Sequence, residues 1–380
     1  MNFLIPNLGS TSVKYQILEM PSEKVLIKGC MERVTNYSEA IEKIRSDSSD
    51  KSIDAVVLKA AHGGPRYRGT FIVDQNVMAS IRQFIPAAAV HNKIYLAAIE
   101  AFQQVMPGVK IVCSFEPEFH ATRPEYTRLY GVPNEWLEDG VMKYGFHGAS
   151  HQFISERMTA ILGRPPRLVS CHLGGSSSVC AIAEGRSMDT TMGFSPQSGL
   201  ENAMRPGDLD IFAVLYMMER HGWSIDEVQR QLATWGGLAG ISGIAGGDIR
   251  DLEQAATQGN ERAVLALEVF AYGVKKSIGS FAAALGGLDA IAFTGGIGEN
   301  SARLRASCCR GLEFLGVRLD PKKNENGGGD RAVSADDSRV AIWAIGTNEE
   351  LTIARRAFRV LSAQKAQGTP QTSTKGGSND

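Results

Sequence analysis

Short glycine-rich clusters, each placed directly after an apolar run, constrain the fold of this chain most strongly. The 41 glycines gather in segments such as LIPNLGSTS, AVVLKAAHGG, RLVSCHLGGSSS and AIAFTGGIGEN. Between them lie stretches that are apolar at helical spacing, such as Glu261 to Leu285. A strand that ends in a glycine turn and leads into a helix, repeated along the chain, is typical of α/β proteins that bind ligands at strand ends. The sequence therefore predicts an α/β fold.

Two of these clusters are alike. The segment GSTSV at residues 9–13 returns as GSSSV at residues 175–179, 166 residues further along. Each copy follows an apolar run and precedes a mixed apolar and polar segment, which is the pattern of a β-hairpin. We therefore expect duplicated domains that face a shared cleft.

The length of 380 residues suits two domains. We expect an N-terminal domain of residues 1–117 plus 352–363 and a C-terminal domain of residues 118–351. Residues 364–380 are rich in Gly, Ser, Thr, Gln and Lys, a composition that predicts a disordered tail.

Charge, hydropathy and cysteine usage exclude several classes of protein. The formal net charge of −1 gives no electrostatic footprint for nucleic acid or for an anionic membrane surface. The sequence contains neither a run of about 18 apolar residues nor a secretory signal at its start. Its six cysteines include no CxxC pair, which favours reduced thiols. We expect a cytoplasmic protein whose anionic ligands are held by local groups, with no nucleic acid or membrane as partner.

Three turns have the composition of phosphate-binding loops. They are residues 7–12 with Lys14 beyond, residues 172–178 and residues 294–300. Small residues let backbone N–H groups approach phosphate oxygens, and serine hydroxyls add donors. A single turn of this kind is more often purely conformational, but three of them behind strands favour phosphate binding. None is a Walker A loop, because GxxxxGK[ST] does not occur.

Histidine, arginine and glutamate side chains complete the candidate chemistry. His62 and His147 lie directly before a glycine and His172 lies two residues before one, a placement that predicts donors lining a polar cleft. Zinc-site spacing such as HExxH is absent. Arg205, in MRPGDLD, either forms a surface ion pair with Asp208 or neutralises a phosphoryl group during transfer.

In this order, these segments resemble the acetate kinase family, which includes propionate and butyrate kinases. The resemblance runs from Asn2 to about Arg359, and its markers are NLGSTSVKY, AHGG, YGFHGASH, CHLGGSSSVCA, MDTTMGFSP, SGIAGGDIRDL, FTGGIGENS and TNEEL. It implies a duplicated actin-like ATPase (ribonuclease H-like) fold with two domains around a central cleft, as in sugar kinases. The acceptor side and the first phosphate hairpin would belong to the N-terminal domain, and the C-terminal domain would bind the nucleotide. It also implies a homodimer that uses Mg2+ to transfer phosphoryl groups reversibly between ATP and a short-chain carboxylate, giving an acyl phosphate and ADP.

The resemblance assigns roles to individual residues by matching motif. The implied catalytic residues are Asn7, Glu116, His147 and Arg205. The implied contacts of the small carboxylic acid are Lys59, Ala61, Val90, His91, Phe146 and Pro196. The implied contacts of ATP or ADP are Ser10, Ser12, Lys14, His172, Gly174, Gly175, Asp248, Ile249, Arg250, Gly296, Ile297, Gly298, Glu299 and Asn300. The implied Mg2+ ligands are Glu349 and Asn7.

The chain departs from the family pattern at the acceptor and phosphoryl end. Lys59 stands where the family has an arginine, Glu116 where it has the catalytic aspartate, and Gly174-Gly175-Ser176 where it has GNG. Ala61 and Val90 replace valine and leucine of the methyl pocket, which predicts a wider pocket and a preference for propionate or a larger acid. Three hypotheses follow: an active short-chain carboxylate kinase, a kinase of the same fold with another acceptor, or a catalytically weak paralogue that binds nucleotide or acyl phosphate.

Overall fold

The computed structural model describes residues 1–8, 12–34, 36–325 and 327–367. The chain divides into two compact units. The first comprises Met1–Ile85, Ala89–Phe115 and the chain from Glu350 on, and the second comprises Pro86–Ala88 and Glu116–Glu349. The domain bounds expected from the sequence stay a prediction.

The strands within the described residues belong to two sheets. In chain order they are β1 (Asn2–Leu8), β2 (Ser12–Glu19), β3 (Lys24–Glu32), β4 (Ala55–Ala60), β5 (Thr70–Ile72), β6 (Lys110–Phe115), β7 (Leu168–His172), β8 (Ser178–Ala183), β9 (Arg186–Thr190), β10 (Ala290–Thr294), β11 (Arg331–Ala332) and β12 (Ala341–Ala344).

Helices connect these strands. The α-helices are α1 (Tyr37–Asp47), α2 (Gln75–Gln83), α3 (Ala89–Val105), α4 (Asn134–Glu138), α5 (Gly148–Leu162), α6 (Ile211–His221), α7 (Ile225–Thr234), α8 (Gly237–Ser242), α9 (Ile249–Thr257), α10 (Glu261–Ala284), α11 (Gly295–Asn300), α12 (Ala302–Cys309), α13 (Pro321–Glu325) and α14 (Glu349–Gln367). Short 3-10 helices span Glu116–Thr122, Glu125–Thr127, Ala245–Gly247 and Glu313–Leu315.

The two sheets repeat one topology. The first has the order β3-β2-β1-β4-β6-β5, and the second, read from its other edge, has the order β9-β8-β7-β10-β12-β11. In both, the first three strands pair antiparallel, the next two add in parallel, and the last edge strand is antiparallel. A register shift occurs in the corresponding strand pair of both, between Ile17 and Leu18 in β2 and between Ala181 and Ile182 in β8. This repetition confirms the predicted duplicated α/β fold.

The two similar glycine-serine segments lie in corresponding hairpins, the first between β1 and β2 and the second between β7 and β8. Leu8 pairs with Val13 at the end of the first hairpin, and His172 pairs with Ser178 at the end of the second. Of the first turn, residues 9–11 lie outside the described residues.

Each sheet packs against helices through its own hydrophobic core. In the second unit, α10 turns an apolar face of residues at helical spacing toward β7, β8 and β10. Its buried residues include Ala263, Leu267, Phe270, Val274 and Ile278. The helix predicted from Glu261 to Leu285 is therefore confirmed, with Leu285 as its C-terminal cap.

The prediction of a disordered tail from residue 364 is wrong for its first four residues. Helix α14 continues to Gln367, because alanine, glutamine and lysine favour helix. Lys110 Nζ also donates to Gln364 Oε1 at 2.6 Å. Residues 368–380 lie outside the described residues. Among the helices that the structure describes, none is long and apolar enough to cross a membrane.

Candidate active site

In the first unit, the end of the β1–β2 hairpin carries three of the predicted residues. Asn7 is exposed and pairs with Lys14 in the strand register. Its amide Nδ2 donates to Glu350 Oε1 at 3.3 Å. Ser12 begins β2 and is partly exposed. Ser10 lies outside the described residues.

The carboxyl end of β4 carries the predicted acceptor residues Lys59 and Ala61. Lys59 is partly exposed, and Ala61 is only 5% exposed. His91 is exposed on α3, whereas the side chain of Val90 is outside the description. The structure thus describes a small, buried alanine beside a cationic side chain at the end of this strand.

His62 does not line an open cleft, contrary to the expectation from the sequence. Its ring is fully buried and stacks on Phe84, with centroids 4.9 Å apart. Its Nδ1 accepts from the N–H of Gly64 at 3.1 Å, and buried Asn92 donates to its carbonyl oxygen at 2.9 Å. A glycine turn after an apolar strand can fold inward as readily as outward, and packing against Phe84 decided the direction here.

In the second unit, four histidines form a cluster, which we call the histidine cluster: His120, His147, His151 and His172. The His147 and His172 rings are stacked, with centroids 4.3 Å apart and planes 24° from parallel. His151 lies edge-on to His120 at 5.8 Å and to His172 at 6.4 Å. Two of these residues, His147 and His172, were predicted as site residues, and the structure brings them into contact.

His147 has an unusual backbone conformation at the start of α5. Its φ is 57° and its ψ is 26°, in the left-handed region that non-glycine residues rarely adopt. The next residue must be glycine, because a Cβ at Gly148 would lie 2.2 Å from the carbonyl oxygen of Glu116. The glycine that follows His147 in YGFHGASH is therefore required by the local geometry.

Serine hydroxyls contact every histidine of the cluster. Ser178 Oγ lies 2.9 Å from His147 Nδ1 and 2.8 Å from His151 Nε2. Three further serines each contact a histidine Nδ1. Ser170 Oγ lies 2.9 Å from Nδ1 of His151. Ser150 Oγ lies 2.8 Å from Nδ1 of His172, and Ser187 Oγ lies 2.8 Å from Nδ1 of His120. Burial and the neighbouring imidazoles of His120 and His172 hold the pKa of His151 well below its usual value.

Arg205 does not pair with Asp208, so the surface ion pair considered from the sequence is wrong. Asp208 Oδ1 instead accepts from the N–H of Gly199 at 2.8 Å. Arg205 Nη1 donates to the carbonyl oxygen of Pro196 at 2.9 Å. Burial lowers the pKa of Arg205 to about 10, so the guanidinium keeps its positive charge at neutral pH.

The loop of Arg205 is bound to the second glycine-serine hairpin. Ala203 N–H donates to the carbonyl oxygen of Gly175 at 3.1 Å, and Ser177 N–H donates to Asn202 Oδ1 at 2.5 Å. Gly174 is partly exposed and Gly175 is exposed. The structure therefore places the predicted phosphate hairpin directly against the loop that carries the predicted phosphoryl-neutralising arginine.

Two other predicted substrate residues, Phe146 and Pro196, are buried in the second unit, as is Glu116 at 7% exposure. Phe146 precedes His147, and its carbonyl oxygen accepts from His120 Nε2 at 2.9 Å. Pro196 contacts Arg205 through its carbonyl group. Glu116 begins the 3-10 helix that follows β6.

The GGDIR segment forms the start of α9. Asp248 caps the helix and forms an ion pair with exposed Arg250 at 2.6 Å. This hydrogen-bonded ion pair lowers the pKa of Asp248. Ile249 is a core residue at 4% exposure. Because its side chain is buried, only its backbone groups could contact a nucleotide.

A buried arginine positions the predicted nucleotide turn in α11. Arg305 Nη1 donates to the carbonyl oxygens of Gly298 at 2.8 Å and Glu299 at 2.9 Å, while its Nε donates to Asn324 Oδ1 at 2.7 Å. Gly296 and Asn300 are exposed, and Ile297 and Glu299 are partly exposed. Burial raises the pKa of Glu299. These contacts fix the backbone of residues 296–300.

The described residues contain no group of three or more His, Cys, Asp or Glu side chains that could hold a metal ion by themselves. Glu349, the predicted magnesium ligand, is partly exposed at the first position of α14. Mg2+ is usually held by one or two carboxylates together with substrate phosphates. A single glutamate of this kind therefore fits a magnesium ion that arrives with a nucleotide.

Sequence reasoning missed His151, Ser178, Asn202 and Arg305. His151 lies four residues after His147 in YGFHGASH, a spacing that places two side chains on one face of a helix. That spacing could have identified His151. Ser178 was quoted within the second hairpin, but its contact with two histidines depends on packing of α5 on β7 and β8.

Comparison with known proteins gives a consistent result. The model of the acetokinase family matches residues 34–355. An acetate kinase of Caldanaerobacter subterraneus subsp. tengcongensis is 40% identical over 402 residues, covering 96% of this chain and all of the relative. The crystal structure of Porphyromonas gingivalis acetate kinase superposes with a TM-score of 0.84 at 33% identity, covering 95% of this chain and 99% of that one.

A propionate kinase from Francisella tularensis has a TM-score of 0.87 at 31% identity, covering 93% of this chain and 98% of its own. These neighbours carry the actin-like ATPase fold that the sequence predicted. The chain therefore belongs to the acetokinase family and is a kinase of the acetate kinase type, a phosphotransferase with a carboxyl group as acceptor.

Proposed function

We propose that this protein transfers a phosphoryl group reversibly between ATP and a short-chain carboxylate, giving an acyl phosphate and ADP. The observation that carries the proposal is Arg205. Its guanidinium is desolvated, and among the described residues its hydrogen bond goes to a neutral carbonyl rather than to a carboxylate. A cation without an acidic partner in such a place is costly unless an anion joins it. The transferring phosphoryl group is such an anion.

Phosphoryl transfer to a carboxylate requires positioning of the reactants and neutralisation of charge rather than a strong general base. A carboxylate is already ionised at neutral pH. In phosphoryl transfer the rate comes from alignment of the reactants and from stabilisation of charge on the equatorial oxygens. Arg205 supplies the positive charge, and the stacked imidazoles of His147 and His172 supply hydrogen-bonding groups. Asn7 and Glu116 are proposed as further catalytic residues, by resemblance.

The residues proposed to contact the nucleotide are those that match family motifs. In the first unit these are Ser10, Ser12 and Lys14. In the second they are His172, the glycines of the second hairpin, the start of α9 and residues 296–300. Glu349 is proposed to hold Mg2+, which supplies charge neutralisation at the β- and γ-phosphates when bound. Asn7 is proposed as a Mg2+ ligand by resemblance alone.

The acceptor is proposed to be propionate or a larger acid rather than acetate. Ala61 is buried where the family has valine, which leaves room for an additional methylene worth about 0.8 kcal/mol on burial. Lys59 would hold the carboxylate, and Val90 and His91 are proposed to line the pocket in the same unit. Phe146 and Pro196 of the second unit are proposed as acceptor contacts by resemblance alone. A propionate kinase is among the similar structures.

The direct test is ADP release coupled to a spectrophotometric signal, measured with a panel of carboxylic acids. We expect turnover with acids of two to four carbons and kcat/KM that is higher for propionate than for acetate. Turnover with a chemically different acceptor alone would favour the second hypothesis, a kinase of the same fold. If calorimetry shows Mg-ADP binding but no acid is turned over, the hypothesis of a catalytically weak paralogue is favoured. Absence of nucleotide binding would refute the kinase hypotheses and the paralogue hypothesis alike.

The protein is also proposed to form a homodimer through α6. This eleven-residue helix contains no buried residue, and Ile211, Phe212, Leu215 and Tyr216 are 49–73% exposed in pairs four residues apart. A contiguous apolar helix face of this kind is typical of an interface. We expect Phe212→Glu to reduce the mass measured by light scattering to that of one chain.

Phe314→Glu is the matched control for this experiment, because Phe314 is 74% exposed and Phe212 is 73% exposed. Equal behaviour of the two variants would refute α6 as the interface.

A cytoplasmic location is proposed on separate grounds. All six cysteines are free thiols, and five are buried, as is common in reducing compartments.

A further inference from the structure

Three fully buried side chains form a hydrogen-bonded chain that ends on His147. Ser170 Oγ lies 2.9 Å from His151 Nδ1, His151 Nε2 lies 2.8 Å from Ser178 Oγ, and Ser178 Oγ lies 2.9 Å from His147 Nδ1. Ser170, His151 and Ser178 are each 0% exposed. Because every link joins one hydroxyl to one ring nitrogen, the position of each proton determines the next.

His151 is neutral in the folded protein and so carries one ring proton. Its ring is fully buried between two serine hydroxyls, and the charged or titratable groups that act on it are the imidazoles of His120 and His172. Burial and these imidazoles both disfavour a positive charge. A neutral imidazole donates at one nitrogen and accepts at the other.

Among the described residues the contacts of Ser178 Oγ are His147 Nδ1 and His151 Nε2, so its own proton needs one of these two nitrogens as acceptor. Two proton arrangements meet this requirement and fill every contact of the hydrogen-bonded chain. In the first, His151 Nδ1–H donates to Ser170, Ser178 O–H donates to His151 Nε2, and His147 Nδ1–H donates to Ser178. In the second, Ser170 O–H donates to His151 Nδ1, His151 Nε2–H donates to Ser178, and Ser178 O–H donates to His147 Nδ1. The two arrangements give His147 opposite tautomers.

Ser170 decides between them. Within the part of the chain that the structure describes, its hydroxyl has one hydrogen-bond partner, His151 Nδ1. The first arrangement leaves the buried hydroxyl proton of Ser170 without an acceptor, which is unfavourable because a buried donor then loses its hydrogen bond to water without replacement. In the second arrangement every donor of the chain has an acceptor.

We infer that Ser170, His151 and Ser178 are positioning residues that hold His147 in the tautomer with its proton on Nε2. The inference rests on the proposed function for its consequence. A His147 Nε2–H can donate to an anionic oxygen of the carboxylate or of the phosphoryl group without itself being charged. The opposite tautomer, with its proton on Nδ1, would direct the Nε2 lone pair at the same oxygen. A phosphotransferase therefore needs the tautomer with its proton on Nε2.

The tautomer can be measured directly in the wild-type protein. Histidine labelled with 15N gives two-bond 1H–15N spectra in which the protonated and unprotonated ring nitrogens have distinct shifts. We expect a neutral His147 with its proton on Nε2 at pH 7.5, with the signal assigned by its loss in His147→Gln. A His147 protonated on Nδ1, or doubly protonated at that pH, would overturn the inference. This result does not depend on whether any acid is turned over.

Variants test the chain and offer a matched control. Ser170→Ala and Ser178→Ala should shift the His147 ring nitrogens toward tautomer exchange and lower kcat about tenfold, with the Kd for Mg-ADP changed less than twofold. Ser187→Ala removes a buried hydroxyl from His120 in the same way. The His120 tautomer is fixed independently, because its Nε2 donates to the carbonyl oxygen of Phe146. This control should leave His147 shifts and kcat unchanged.

His151→Gln provides the rescue, because a glutamine amide nitrogen can still donate to Ser178. It should keep the His147 tautomer and most of kcat, whereas His151→Leu should lose both. Unchanged 15N shifts of the His147 ring in Ser178→Ala would refute the hydrogen-bonded chain from Ser170 to His147. Absence of turnover in the wild-type protein with every acid would instead refute the proposed function, and the spectra would still decide the tautomer.

Discussion

Arg205 Nη1 donates to the carbonyl oxygen of Pro196 at 2.9 Å. From the sequence these two residues had separate roles, one as the cation that neutralises the phosphoryl group and the other as a wall of the acceptor pocket. The hydrogen bond joins the two roles, because the backbone beside the pocket fixes the direction of the guanidinium. The position of the cation thus depends on the loop that would also hold the acid.

Replacement of Arg205 by alanine should reduce kcat far more than nucleotide affinity. An arginine that neutralises the transferring phosphoryl group contributes about 10³-fold or more to the rate. We expect the Kd for Mg-ADP, measured by calorimetry, to change by less than about threefold, because the effect is exerted in the transition state. Arg318→Ala, which removes an exposed ion pair with Asp337, serves as the control. Equal and modest losses in both parameters would show that Arg205 is only structural.

Lys59→Arg should raise kcat/KM for carboxylic acids by about tenfold. A guanidinium binds a carboxylate through two parallel hydrogen bonds, whereas an ammonium group acts as a point charge. The Kd for Mg-ADP should not change. Lys51→Arg is the matched control in the same unit, since Lys51 is paired with neighbouring Asp50. If both variants gave the same activity as the wild type, Lys59 would not hold the acceptor.

Ala61→Val should shift specificity from propionate toward acetate by several-fold. The added methyl groups fill the space that would take the extra methylene of the acid, which is worth about 0.8 kcal/mol. Initial rates with acetate, propionate and butyrate give the three kcat/KM values. Ala332→Val, at an exposed position of β11, is the control for the effect of a valine elsewhere. An unchanged ranking in Ala61→Val, or acetate as the best substrate of the wild type, would contradict the pocket argument.

The stability of the protein should fall in mildly acidic solution because of His151. Its pKa is depressed in the folded state, while the unfolded value is about 6.5. The unfolded state therefore binds the proton more readily, so the contribution is complete above about pH 6.5. It decreases by up to about 1.4 kcal/mol per pH unit below that, until the folded pKa is reached.

Urea unfolding from pH 7.5 to 5.5 measures this dependence. His151→Gln has no proton to bind, so its free energy of unfolding should change less across the same range. Parallel curves for the two proteins would mean that another group causes the acid sensitivity.

The sequence alone was sufficient for the fold class, the duplication and the family. Local rules determine the fold class, because apolar runs followed by glycine turns fold as strands and turns largely independently of distant residues. The family followed from the ordered motifs that run from NLGSTSVKY to TNEEL. The repeated GSTSV and GSSSV segments marked corresponding hairpins of two sheets with one topology. The helix from Glu261 followed from the spacing of its apolar residues.

Only the tertiary structure decided which polar side chains face one another. His62 and His147 look alike in sequence, each beside glycine, but the first is stacked against Phe84 in a core and the second lies against His172. Arg205 had an equally good partner in Asp208 by sequence, yet its loop folds so that Pro196 accepts its hydrogen bond. The Ser170–His151–Ser178 chain joins two strands and a helix. Such contacts depend on packing between segments distant in sequence, and local residue patterns carry no information about that packing.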